Sequence, residues 1–265
     1  SNSWRNAGID STASSSTAST ASAFDAQGRL HVTYYDVGND LQHAQLLLPE
    51  WEYDLSDNEW TVRGQARDGP SDRSAPSMVY DSSVKKMVMF GGHDGDLTLD
   101  GSSYSNETWL YDPATRVWQR QFPASPPSAR TSHTMAYDSA NGVSVLFGGS
   151  DTNGYDDETW TYDEGANRWT EMSSGSGSSK PSERQYPFMS FDSANSVVVL
   201  FGGYGGSYYQ DTWTFSVSGD SWTQKASFTK PSARNFAASM AYDPERGTMV
   251  LFGGYSASYM GDTWH

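Results

Sequence analysis

The chain has 265 residues, 32 acidic and 17 basic side chains, a formal charge of −15 at pH 7, and no cysteine. That balance excludes nucleic acid as a partner, because phosphate binding needs a basic face, and it disfavours an anionic membrane surface. The missing cysteines exclude disulfides, thiol nucleophiles and thiolate metal sites.

Apolar residues make up only 36% of the chain but aromatic residues reach 14%. Large rings set at repeated places would reconcile the two, since each ring buries roughly 150–250 Å². No apolar run reaches membrane-spanning length, so no membrane insertion is expected. Lysine is scarce while Ser, Thr, Gly and Tyr abound, and no signal-peptide pattern opens the chain. This composition tilts the expected location towards secreted or extracellular, with the cytoplasm as the alternative.

Residues 1–10, SNSWRNAGID, carry one tryptophan, Trp4, and lead into the low-complexity stretch STASSSTASTASA. That stretch reads as a connector or a polar first strand. Over 16–66, TASAFDAQGRLHVTYYD gives an alternating run, a turn and a second run. A long loop over about 37–49 follows, and WEYDLSDNEW then places Trp51 and Trp60 nine apart.

From residue 70 the pattern becomes regular. Segments 70–122, 127–173, 181–226 and 231–265 each contain a run ending in an aromatic residue and Asp: SMVYD, TMAYD, MSFD and SMAYD. Each then has MVMFGG, SVLFGG, VVLFGG or MVLFGG, followed by ETW or DTW. Phe90, Phe147, Phe201 and Phe252 lie 57, 54 and 51 residues apart. In three segments a second Trp follows nine residues later, giving Trp109 and Trp118, Trp160 and Trp169, and Trp213 and Trp222. Four short runs between turn formers predict one four-stranded antiparallel meander per unit. A lone sheet of this size cannot bury both faces, so the units must stack.

The Gly pairs at 91–92, 148–149, 202–203 and 253–254, the aromatic–Asp pairs and the Trp pairs together resemble the kelch repeat, over about residues 70–265. Segment 16–66 departs from it, with TYYD where LFGG is expected. The resemblance implies a single all-β domain, a β-propeller of four-stranded blades, and the units number five. The last unit supplies three strands and stops after Trp264, while SNSWRNAG looks like the missing fourth. The expectation is a ring closed by residues 1–10 completing the last blade. Pairing of the ends between molecules is the alternative.

The segments PSDR, PSAR, PSER and PSAR place Arg73, Arg130, Arg184 and Arg234 just before the first strand of four units. The resemblance puts such residues near the mouth of the channel, where they would hold carboxylate, sulfate or phosphate groups. Their recurrence with the repeat favours the other reading, a staple to backbone or carboxylate. Beside them the sequence varies, and His133, Tyr186 and Phe236 are candidate contacts. The residues after the Gly pairs vary too, which adds His93, Tyr204 and Tyr255. These loops are rich in Tyr and small residues, a composition suited to stacking on sugars or gripping peptides.

SDTNGYDDE, residues 150–158, begins with the alternating oxygen spacing of a calcium loop, but Tyr162 stands where a bidentate Glu is needed and Asp156 where Gly is needed. No cofactor is expected, and calcium is the lesser alternative. Catalytic motifs such as GxSxG, a Walker loop or HExxH do not occur, so no catalytic residue and no metal ligand is assigned. The leading expectation is a non-catalytic module binding a protein segment or a glycan, an anionic one included. A sugar-modifying enzyme and a subunit of an extracellular assembly are the alternatives.

Overall fold

The computed structural model describes residues 69–94, 104–172 and 179–265, together with four earlier strands at the level of the backbone. Those four, Thr20–Phe24, Leu30–Tyr34, Glu50–Asp54 and Glu59–Arg63, pair in chain order as one antiparallel sheet. Three further sheets repeat the meander. The second is Ser77–Asp81, Lys86–Phe90, Thr108–Asp112 and Val117–Gln121. The third is Thr134–Asp138, Val143–Phe147, Thr159–Asp163 and Arg168–Met172. The fourth is Phe188–Asp192, Val197–Phe201, Thr212–Ser216 and Ser221–Lys225.

In a fifth sheet Thr248–Ser256 lies between Asn235–Asp243 and Thr263–Trp264. The first strands of the five sheets lie side by side in chain order, which makes the fold an all-β propeller. The expected closing strand, residues 1–10, and the loop over 37–49 lie outside the described residues.

Local chemistry explains the aromatic–Asp signature. The carboxylates of Asp81, Asp138, Asp192 and Asp243 accept the backbone N–H two residues on, at 2.8, 2.9, 3.0 and 3.0 Å, and so fix the turn into the second strand.

Stacking explains the rings. Val88 and Phe90 of the second sheet pack against Met135, Leu146, Tyr162 and Trp169 of the third. Val145 and Phe147 of the third pack against Met189, Leu200, Phe215 and Trp222 of the fourth. In the third and fourth sheets the outermost tryptophan also reaches back to the preceding sheet. Trp169 donates its indole N–H to Thr108 Oγ1, and Trp222 donates to Thr159 Oγ1, both at 2.9 Å. The core is therefore a set of layers between sheets, each supplied by two neighbours.

Candidate functional site

The four repeated arginines have one environment. Their Nε groups donate to the carbonyls of Ser71, Ser128, Ser182 and Ser232, and their Nη1 groups to the carbonyls of Gly91, Gly148, Gly202 and Gly253. Each guanidinium also meets the carboxylate that opens the Glu/Asp-Thr-Trp segment of its own sheet. Arg73 meets Glu107 at 2.7 Å, Arg130 meets Glu158, Arg184 meets Asp211 at 2.7 Å, and Arg234 meets Asp262 at 2.8 Å.

The same carboxylate accepts the indole N–H two residues on, from Trp109, Trp160, Trp213 and Trp264. Arg130, Arg184 and Arg234 are wholly buried and Arg73 is 7% exposed. This is the geometry of a staple. None of the four guanidiniums is presented to solvent for an anion to reach.

The backbone of these residues binds the preceding sheet. The carbonyls of Arg130, Arg184 and Arg234 accept from Gly92, Gly149 and Gly203, each at 2.9 Å. This close approach accounts for the glycine pairs. A Cβ on Gly91, Gly148 or Gly202 would lie 2.6 Å from the arginine carbonyl of the next sheet, and all three have φ near +67°.

The electrostatics follow. Burial pushes the Asp211 carboxyl up, but hydrogen bonds and charge from Arg184 outweigh it and hold the group below its ordinary value. Glu107 and Glu158 are lowered by the same contest between burial and their arginine and tryptophan partners.

The aromatic candidates are brought together. Tyr155 and Tyr204 have ring centroids 6.0 Å apart, Tyr204 and Tyr208 5.1 Å, and Tyr208 and Tyr255 6.3 Å. Tyr255 stacks on Phe236 at 5.0 Å and meets the edge of Tyr259 at 5.2 Å, while Phe236 meets Tyr186 at 5.9 Å. Seven rings thus form one continuous arc over the loops of the third, fourth and fifth sheets. Six are half-buried and Tyr259 is 76% exposed.

Tyr186 takes φ +52°, matching Ala75 at +48° and Ser132 at +59° in the preceding sheets. The Ser132 amide donates to the Ala75 carbonyl and the Tyr186 amide to the Ser132 carbonyl, so this turn is passed from sheet to sheet. His93 stays apart, in an edge contact with Tyr104 at 5.3 Å.

The expected residues did not include Tyr104, Tyr155, Tyr208 and Tyr259. Their signal is positional: YSNETW, YDDETW, YYQDTW and YMGDTW each place Tyr five residues before Trp.

His133 is buried at the seam between the second and third sheets, against the edge of Phe90. Neither ring nitrogen has a hydrogen-bond partner. Burial, and then the charge of Arg130, push its pKa down to about 3. The Phe90 backbone is close enough to oppose this weakly, though not in hydrogen-bonding geometry. Asp156 lies 3.5 Å from Arg130 Nη1. Its carboxyl is pushed up to about 6 by burial and by Asp151, Glu158 and Asp157, against the pull of Arg130.

In the 150–158 loop, Asp151 accepts from the amides of Asn153 and Gly154, which turns the hairpin. Among the described residues no three His, Asp or Glu side chains come together as a metal site.

A family model described as the KLHDC2/KLHL20/DRC7 Kelch-repeats domain matches residues 35–254.

Proposed function

The chain belongs to the kelch-repeat family, and we propose that its propeller is a non-catalytic recognition module holding an extended protein segment against the seven-ring arc. A kelch-repeat propeller points to a protein-interaction module. The arc carries the finer reading. Its rings lie outside the layers that hold the sheets together, yet they touch one another in an unbroken series. Tyrosines fixed in this way offer a large contact area with little rotamer entropy left to lose on binding.

The chemistry favours a neutral or cationic segment. The four arginines that would have drawn an anion are buried against carboxylates, and the chain as a whole carries −15. A lysine or arginine of the ligand would be attracted both by that field and by the tyrosine faces.

The repeat itself supplies test variants compatible with the fold. Ala75 stands where Tyr186 does, and Ser150 stands where Tyr255 does. The Tyr186→Ala, Tyr255→Ser protein is compared with wild type on arrays of short peptides with and without basic residues, and on neutral and acidic glycans. The expected result is peptide binding that weakens at least tenfold in the variant while the thermal midpoint holds. Glycan binding alone, or peptide binding indifferent to the two rings, overturns the reading.

A further inference from the structure

In the third, fourth and fifth sheets the residue after the repeated arginine pairs with the residue after the glycine pair. Thr131 pairs with Ser150, Gln185 with Tyr204 and Asn235 with Tyr255. In the first two cases the polar side chain also bonds the preceding unit. The Thr131 hydroxyl donates to the carbonyls of Ser74 and Ala75, both at 3.3 Å, and Gln185 Oε1 accepts from Ser150 Oγ at 3.2 Å.

Asn235 breaks the series. The residue is 5% exposed, and its Oδ1 atom is sealed from solvent without a hydrogen-bond partner. Its Nδ2 group has no partner among the described residues either, but it is not sealed. The cause lies in the preceding unit. Where the third sheet offers the Ser150 hydroxyl to Gln185, the fourth has Tyr204, whose ring lies against Tyr155 and Tyr208 instead. Turning the carboxamide over would seal two donors in place of one acceptor, so the orientation with nitrogen outward costs less.

This recessed donor lies within the aromatic arc. Cross-strand partners share a face of their ladder, so Asn235 projects on the side of Tyr255, and Tyr255 stacks on the adjoining Phe236 at 5.0 Å. A narrow recess selects a small acceptor, and the overall charge of −15 disfavours a carboxylate. A main-chain carbonyl meets both conditions, and an extended segment turns every second one to the same side.

We propose, on the reading that the arc holds an extended protein segment, that Asn235 Nδ2 donates to one main-chain carbonyl of that segment and sets its register. Ring faces alone would let a chain slide along the arc. One fixed donor stops it at a defined residue.

The test follows the Asn235 side-chain amide by nuclear magnetic resonance. Isotopically labelled protein is titrated with a neutral blocked peptide, acetyl-Ser-Gly-Ser-Gly-Ser-Gly-amide, and the Asn235 amide signals should shift along the binding curve. Asn235→Asp keeps the shape and removes the donor, while Asn235→Leu removes both polar groups. Each should weaken the peptide about fivefold, the loss of one hydrogen bond. The thermal midpoint of Asn235→Leu should be no lower than that of wild type, because the carboxamide bonds nothing in the free protein. A lower midpoint reveals a structural partner and overturns the proposal. So does Asn235→Asp binding as tightly as wild type. If the Tyr186→Ala, Tyr255→Ser protein loses the peptide in that case, the recognition face stands without Asn235. Failure of the wild type to bind the peptide at all overturns both readings.

Discussion

The third and fifth sheets are built from nearly the same words, SVLFGG and MVLFGG, and end in opposite conditions. Phe147 is fully buried, whereas Phe252 is 55% exposed. Val145 is fully buried and Val250 only half so. The relay of amides that links Ala75, Ser132 and Tyr186 ends, among the described residues, before the fifth sheet. There the first strand runs longer, Asn235–Asp243, with a register shift between Asn235 and Ala238. A unit in this architecture does not bury its own apolar face. Its successor does so, and stability resides in the seams between units.

The largest expected effect tests the arginine staples on either side of that difference. Arg184→Ala leaves Asp211, with a side chain 21% exposed, and the Gly202 carbonyl without their partner. Breaking a buried pair in this way costs roughly 3–5 kcal/mol. Arg234→Ala leaves Asp262, which is 41% exposed and can rehydrate, so its loss in a urea titration should be about half as large. Equal losses would show that the fifth sheet is as well sealed as the fourth.

The phenylalanines sharpen the same contrast. Phe147→Ala opens a cavity among Val198, Leu200 and Trp222, at a cost of about 3–5 kcal/mol. Phe252→Ala removes a half-exposed ring and should cost less than about 1 kcal/mol by the same titration. A loss at Phe252 matching that at Phe147 would break the comparison, because it requires a further layer packed on the fifth sheet.

Much of the scaffold was legible because the repeat writes it four times. Aromatic–Asp turns, glycine pairs and paired tryptophans each mark a local geometry that a short segment can specify. The arginine staple was only half legible. Arg73 and Glu107 are 34 residues apart, and only strand pairing brings that carboxylate to the guanidinium. Read singly, each arginine offered itself equally to a ligand. Of the seven rings in the arc, Tyr186, Tyr204, Phe236 and Tyr255 were legible as candidates, while Tyr155, Tyr208 and Tyr259, and the arc itself, were not. Whether Tyr208 meets Tyr255 depends on how adjoining sheets are rotated, which no spacing within a unit encodes. The exposure of Phe252 was not legible at all, since its motif is that of Phe147.

The well-sealed third sheet has departures of its own, and they give the smallest effect. At the position of His133 the second and fourth sheets have Pro76 and Pro187, and at that of Asp156 the second has Ser105. The two groups act in opposite directions as the pH falls. His133, lowered to about 3, binds its proton more readily in the unfolded chain, so stability falls from about pH 6.5 downwards. Asp156, raised to about 6, binds its proton more readily in the folded chain, so stability rises as the pH drops through 6 towards 4. The wild-type profile between pH 4 and 6 should therefore be flatter than either group alone would make it. His133→Pro should gain on the order of 1–2 kcal/mol over wild type at pH 5 relative to pH 7. Asp156→Ser should be the more stable protein at pH 7 and lose about 1 kcal/mol of that advantage by pH 5. Urea midpoints across this range separate the two. If both variants keep the wild-type slope, neither group titrates differently in the folded and unfolded chains, and the seam at Arg130 is as neutral as those of the other sheets.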